Sequence, residues 1–156
     1  MNTLKSTEWR ELGLSPQWNH NSILGFTDKE TVMLDLDDTT FKTVRYWSRK
    51  AMKWFNLEGF LILKSSDGCY HVVFNRKVNW SKNMHVVAWV ALRSHNKGIQ
   101  RWHIMQCIKE SPTLRVSPKG VKPSPRIVYR EGSEDNQIAG FLRYRRKIKN
   151  IIKQMS

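Results

Sequence analysis

Thr31-Val32-Met33-Leu34-Asp35-Leu36-Asp37-Asp38 is the segment on which the predicted fold depends. Alternate side chains of a β-strand share a face, so Asp35 and Asp37 point the same way, roughly 6–7 Å apart along the strand. Because two carboxylates are costly to bury, they need a cation, basic partners or water. Such a pair suits a divalent ion that also carries nucleotide phosphates. The alternative, favoured by this segment alone, is that residues 37–40 form a turn that caps the following helix.

Positive charge is the strongest overall signal. The 156 residues include 27 Lys and Arg against 13 Asp and Glu, for a formal net charge of +14. Such a field attracts polyanions, and abundant aromatic residues could stack on bases, so nucleic acid is the favoured partner. An acidic membrane surface or an acidic protein is the alternative. With neither a long apolar run nor a signal-like start, the sequence predicts a cytoplasmic or otherwise intracellular protein that is neither secreted nor membrane-spanning.

The sequence pattern in the first half of the chain predicts an N-terminal arm followed by a strand, a helix and a hairpin. Residues 1–30 are expected to form an N-terminal arm with a short helix, and residues 31–156 a single α+β domain. After the acidic strand, Thr39 or Thr40 is expected to cap a helix of about fifteen residues. The core stripe of that helix comprises Val44, Trp47, Ala51 and either Trp54 or Phe55.

The hairpin is predicted from an apolar run at 60–64, the Asp67-Gly68 turn and a second strand at 69–74. In the second half of the chain, Ser81 is expected to cap a helical region from Lys82 to about Lys109 that is interrupted near 96–98. The elements expected after it are a strand at 113–117, a basic proline-rich loop at 118–125, an edge strand at 126–130 and a last helix beginning at Ser133. Met105 and Ile108 are expected to face the body of the protein.

This order of elements predicts a split βαβ fold, also called ferredoxin-like or RRM-like (βαββαβ). It is an antiparallel sheet with helices on one face, here with an extra C-terminal helix. In that fold the first and third strands lie side by side at the centre of the sheet. Asp35 and Asp37 would therefore share an open face with His71 of the hairpin. The alternative is that the N-terminal arm covers this face.

Two features around this core resemble the archaeo-eukaryotic primase superfamily, which includes the primase-polymerases of plasmids and viruses. The family's acid-x-acid motif after an apolar run is matched by Asp35-Leu36-Asp37. Its small-x-His motif after a glycine-containing turn is matched by Cys69-Tyr70-His71, preceded by Ser66-Asp67-Gly68. The resemblance extends over roughly residues 30–130, and the motifs occur in the family's order.

The resemblance implies a role for each matched residue. Asp35 and Asp37 would hold Mg²⁺ or Mn²⁺, and His71 would contact the phosphates of an incoming nucleoside triphosphate. Phosphate or nucleic-acid contacts are expected from Ser66, Arg115, Lys119 and Arg126. DNA, or else RNA, would be the macromolecular ligand, in replication or repair and with larger replication partners.

The sequence departs from the family pattern at two positions. Cys69 replaces the usual serine two residues before the histidine. A third acid is expected on a later strand, where Arg115 and Ser117 stand instead. Nucleic-acid binding by an accessory or catalytically degenerate domain is therefore as well supported as primer synthesis or extension.

Two other function classes fit the same predicted core. Tyr144-Arg145-Arg146-Lys147 resembles the Tyr-x-x-Lys helix of Rep-type nicking nucleases, although the second histidine of their His-hydrophobic-His motif is replaced after His71 by Val72-Val73. A non-catalytic RRM-like binder would bind nucleic acid without metal and without Asp35 or Asp37.

Overall fold

The protein, described here from a computed structural model, is defined over residues 23–155. The short helix expected in the N-terminal arm lies outside these residues. No helix within them combines the length and apolar character needed to cross a bilayer. In chain order the elements are β1 (Gly25–Thr27), β2 (Thr31–Leu36), α1 (Phe41–Phe55), β3 (Gly59–Ser66), β4 (Cys69–Lys77), α2 (Trp80–Ser94), α3 (Lys97–Lys109), β5 (Thr113–Arg115), β6 (Arg126–Gly132) and α4 (Gln137–Met155).

The main sheet is antiparallel, with the strand order β2-β4-β3-β6. The predicted α+β class and split βαβ arrangement are confirmed, including the pairing of the acidic strand β2 with the hairpin strand β4. The acidic strand, however, lies at an edge of this sheet and not at its centre.

The strand predicted at 113–117 is present as the shorter β5, but it does not join the main sheet. It pairs instead with β1 in a separate two-stranded sheet. After β5 the N–H groups of Val116 and Ser117 both donate to the carbonyl of Leu24, which ends the regular ladder, and Pro118 has no N–H with which to continue it. The fourth strand of the main sheet is therefore β6.

The two faces of the sheet carry separate cores. Helices α1 and α2 cover one face through a cluster that includes Leu34, Ile62 and Val72. Helix α4, together with β1 and β5, covers the other through a cluster that includes Met33 and Val73. Trp102 of α3 packs against both clusters, so α3 lies beside the β2 edge.

Side-chain caps set where the helices begin. Thr40 caps α1, as predicted, because its hydroxyl accepts from the backbone N–H of Thr43 at 3.2 Å. Asn79, not Ser81, caps α2. Helix α4 begins at Gln137, later than predicted.

The start of α4 is set by a residue distant in sequence. The buried side chain of Asn75 on β4 accepts from the backbone N–H groups of Asn136 and Ile138, at 3.0 and 3.3 Å. Its amide also donates to Asp135 at 3.0 Å. One polar side chain therefore joins the hairpin to the first turn of α4.

Two predicted apolar faces are corrected by the structure. Met105 and Ile108 on α3 are 52% and 71% exposed, so the expectation that they face the body is wrong. The inward position is taken by Gln106, whose side chain accepts from the backbone N–H of Thr113 at 3.1 Å and ties α3 to β5. On α1, Phe55 is in the core and Trp54 is not.

Candidate functional site

A polar cavity of about 330 Å³ opens where β2 and β4 extend beyond the cover of α4. Asp35 comes from β2 and Asp37 from just after its end, the histidine comes from β4, and the basic residues come from β5 and the loop that follows. Six of the seven residues predicted from the sequence line it: Asp35, Asp37, Ser66, His71, Arg115 and Lys119.

The pairing of β2 with β4 brings the first acid and the histidine together. Asp35 and His71 are direct cross-strand partners in the antiparallel ladder, so their side chains rise from the same face at neighbouring positions. The distance from His71 Nε2 to Asp35 Oδ1 is 3.6 Å. The imidazole is buried beneath the cavity floor, whereas the Asp35 side chain retains 27% exposure. The predicted convergence on one open face is therefore present, with His71 at its base.

The second acid is held by contacts to its backbone. The side chain of Asn96, which caps α3, donates to the carbonyl of Asp37 at 2.6 Å. Gly98 in the first turn of α3 packs so closely that an added Cβ would lie 3.0 Å from the Asp37 Cβ. The next turn is anchored as well, since the N–H of Thr39 donates to the carbonyl of Gly68 at 3.0 Å. Helix α3 and the hairpin turn thus fix Asp37 from two sides.

Burial perturbs both titrating groups at the floor of the cavity. It raises the pKa of Asp35 from 3.8 to about 7, with a further increase from the neighbouring charge of Asp37 and an opposing decrease from Arg115. Burial, with a smaller contribution from the charge of Arg115, lowers the pKa of His71 from 6.5 to about 3. Although Asp35 and His71 are close, they do not form an ion pair near pH 7, because the imidazole is neutral there.

Arg115 forms the centre of the basic wall. Its guanidinium donates to the carbonyls of Ser117, Pro123 and Ser65, at 2.6, 3.0 and 3.2 Å. These bonds hold a positive charge close enough to Asp35 to affect its pKa. Arg115 therefore both stabilises the loop and supplies a preorganised cation.

Lys119 and Lys122 complete the wall from one tight turn. Their backbones exchange two hydrogen bonds of 2.9 Å, and Gly120 between them has a φ of 58°, which favours glycine. Both lysines line the cavity. The loop predicted as basic and proline-rich thus presents two cations at the cavity rim.

Arg126 is the predicted site residue that the structure places elsewhere. It lines an adjacent cavity of about 530 Å³, which shares Ser66 and Lys122 with the first. Lys64 also lines this second cavity. Lys64 is paired with Asp67 at 3.2 Å, so among the described residues that line this cavity Lys122 and Arg126 are the basic ones without an acidic partner in its lining.

Two carboxylates are a partial ligand set for a metal ion. Among residues 23–155 no three His, Cys, Asp or Glu side chains are arranged to bind one together. The third acid of the primase pattern is likewise not found among the described residues that line the cavity. Mg²⁺, however, is commonly held by one or two carboxylates plus substrate phosphates. The raised pKa of Asp35 marks a buried negative charge that a divalent ion would compensate.

Tyr144, the residue on which the nicking-nuclease alternative depends, does not line this cavity. Its hydroxyl donates to the carbonyl of Gly25 at 3.1 Å, its ring packs against Phe26, and burial raises its pKa. The alternative stays a prediction, and Tyr144→Phe tests it, because a Tyr-linked DNA adduct would be lost in that variant.

Ile23 and Thr113 line the cavity but were not identified from the sequence. They reach it because β1 pairs with β5, with Thr27 opposite Thr113. No local sequence pattern signals the pairing of two three-residue strands. Cys69 also lines the cavity, at the position where the primase pattern has serine.

Comparisons of this chain with protein-family models, with curated proteins and with solved structures gave no significant match.

Proposed function

We propose that this chain is a primase-like nucleic-acid-binding domain of DNA replication or repair whose polar cavity binds a nucleoside triphosphate together with Mg²⁺ or Mn²⁺. One observation carries the proposal: Asp35, Asp37 and His71 line one open cavity that Arg115 and Lys119 face. The net charge of +14 supports a polyanionic partner.

The cavity has chemically distinct sides, and each suits one part of the ligand. Asp35 and Asp37 offer the oxygen ligands that Mg²⁺ prefers. Arg115, Lys119 and Lys122 offer the donors and charge that phosphates require. A triphosphate carrying a divalent ion would therefore lie between the acidic and basic sides, with its charge neutralised from both.

His71 is suited to positioning and not to carrying charge. With its pKa lowered to about 3, its imidazole is neutral at pH 7 and can offer a single N–H donor to a phosphate oxygen. When bound, the metal would supply charge neutralisation at a transferring phosphoryl group. Arg115, fixed by its three carbonyl partners, orients the phosphates without needing to reorganise.

Isothermal titration with a nucleoside triphosphate tests the proposal. We expect binding in Mg²⁺ that is abolished by EDTA and reduced at least tenfold by Asp37→Asn, because the variant loses one of two metal ligands. Asp38→Asn is the matched control, since Asp38 is exposed, lies outside the cavity lining and has a φ of 51°, which asparagine tolerates. Equal nucleotide affinities of wild type and Asp37→Asn would show that the polar cavity is not a nucleotide site.

A template-dependent extension assay with Mg²⁺ and with Mn²⁺ then distinguishes a catalytically active domain from one that only binds nucleic acid. Extension that is lost in Asp37→Asn and retained in Asp38→Asn would establish nucleotidyl transfer. A wild-type protein that binds nucleic acid in EDTA but shows neither nucleotide binding nor extension in Mg²⁺ or Mn²⁺ would instead establish the RRM-like binder.

A further inference from the structure

An aromatic groove of about 600 Å³ lies between α1 and α2, in the layer that covers the opposite face of the sheet from the polar cavity. Its aromatic lining consists of Tyr46, Trp47, Trp54 and Trp89.

The rings of the groove are more exposed than a folded protein requires. Trp54 is 72% exposed and Tyr46 is 52% exposed. Leu92, at the edge of the groove, is 69% exposed. Clustered apolar groups on a surface mark binding sites more often than scattered ones do.

The ring orientations leave aromatic faces available. Trp54 and Trp89 are nearly parallel, with 16° between their planes and 6.5 Å between their centroids. Trp89 is itself held by edge contacts to Trp47 and Phe55, at 78° and 86°. Trp54 therefore extends from a supported aromatic base into solvent, where a flat ligand could stack on it.

Among the described residues that line the groove, the charged ones, Lys50 and Arg93, are both positive. Neither α1 nor α2 contains an acidic residue. Lys50 lies 5.5 Å from the Tyr46 ring centroid and Arg93 lies 4.6 Å from that of Trp89. His95, which ends α2, also lines the groove. An anionic ligand with flat apolar rings matches both features.

We infer that the aromatic groove binds single-stranded nucleic acid by stacking bases on Trp54 and Tyr46 while Lys50 and Arg93 contact the phosphates. Stacking on aromatic platforms inside a basic groove is the general mode of single-strand binding. A duplex keeps its base faces covered and offers nothing to stack. Lys50 and Arg93 already place cations at the Tyr46 and Trp89 rings, and their charge disfavours a methylammonium ligand in the groove.

This inference deepens the nucleic-acid binding in the proposed function by naming its ligand and its site. It is independent of the nucleotide site, since the groove and the cavity lie on opposite faces of the sheet and share no lining residue. The nucleotide site and the single-strand site can therefore be tested separately, and one proposal can be wrong while the other holds. Asp37→Asn is expected to bind an oligonucleotide as wild type does. A chain that binds no nucleotide but binds single strands through Trp54 would overturn the proposed function and leave this inference standing.

Fluorescence anisotropy of the full chain with a labelled oligothymidylate tests the inference. We expect Trp54→Ala to weaken binding about 5- to 100-fold, the range for losing one stacked base, and Trp54→Phe to retain most of the affinity. Ile108→Ala is the control, because Ile108 is 71% exposed on α3 and does not line the groove. Equal affinity of Trp54→Ala and wild type would overturn the inference.

The contribution of charge is tested through salt dependence. Lys50→Gln and Arg93→Gln are each expected to reduce the slope of log affinity against log salt by about 0.7, whereas Lys42→Gln, on the same helix as Lys50 but outside the groove, changes it less. Competition by duplex DNA as strong as that by the single strand, or polyglutamate binding that is lost in Trp54→Ala, would assign the groove to a duplex or to an acidic protein and overturn the inference.

Discussion

The polar cavity buries ionisable side chains, whereas the aromatic groove exposes aromatic ones. The cavity places a carboxyl and an imidazole where burial shifts their pKa values, and it holds Asp35 beside Asp37. The groove leaves Trp54 72% exposed, although burying such a ring would stabilise the fold. Elsewhere the core is conventional, with apolar clusters on both faces of the sheet. Neither feature helps the chain to fold, which is why both regions are candidates for function.

Residues that hold the fold together should therefore respond to substitution differently from residues of the two candidate sites. Among the polar residues, the largest expected effect belongs to Asn75, which joins the hairpin to the start of α4. We expect Asn75→Ala to lower the free energy of unfolding by about 2–4 kcal/mol, because buried N–H groups lose their acceptor. Urea denaturation measures this, with the exposed Asn150→Ala as the matched control. A change below about 0.5 kcal/mol would contradict the structural role of Asn75.

Arg115 serves both the fold and the cavity, so its substitution should affect stability and ligand binding together. Arg115→Met should lower the free energy of unfolding by about 1–3 kcal/mol, since three carbonyls lose a charged donor. It should also weaken nucleotide binding at least tenfold. Arg101→Met, at an exposed position of α3, should do neither. Unchanged urea midpoints for Arg115→Met would show that these bonds do not stabilise the loop.

Asp35→Asn should act in the opposite direction and stabilise the protein. Between pH 3.8 and about 7 the unfolded chain releases a proton that folded Asp35 retains, so wild-type stability from this group falls as pH rises. Asparagine does not ionise. The variant should therefore gain about 1–2 kcal/mol over wild type above pH 7 and lose this advantage towards pH 4.

Thermal unfolding across this pH range measures the effect. The lowered pKa of His71 makes stability fall as pH decreases below 6.5, but both proteins carry that dependence and it cancels in the difference. An Asp35→Asn advantage that is independent of pH would contradict the raised pKa.

Trp54→Ala should have the smallest effect on folding. Because the ring is mostly exposed, we expect the free energy of unfolding to change by less than about 0.5 kcal/mol. Phe55→Ala, one residue further along α1, should cost about 3–5 kcal/mol because Phe55 is in the core. Similar losses in the two variants would mean that Trp54 is a packing residue and not an exposed ligand contact.

The convergence of Asp35 and His71 could be predicted from the sequence, because strand periodicity and hairpin order are local signals. The partner of β5 could not, since three residues carry too little pattern to select β1 over the main sheet. The start of α4 depends on Asn75, more than sixty positions earlier in the chain. The sequence also does not decide whether Trp54 or Phe55 lies in the core. Both stand at the border of the apolar stripe of α1, and the packing of the neighbouring helix determines which one is buried.

The most direct test of the central claim follows the histidines by NMR while Mn²⁺ and a nucleoside triphosphate are added. Paramagnetic broadening depends on distance, and His71 lies beside Asp35 whereas His85 is exposed on α2. We predict that the His71 resonances broaden first, that those of His85 stay sharp, and that Asp37→Asn removes the difference. A His71 signal that remains sharp while manganese and nucleotide are bound would contradict the account.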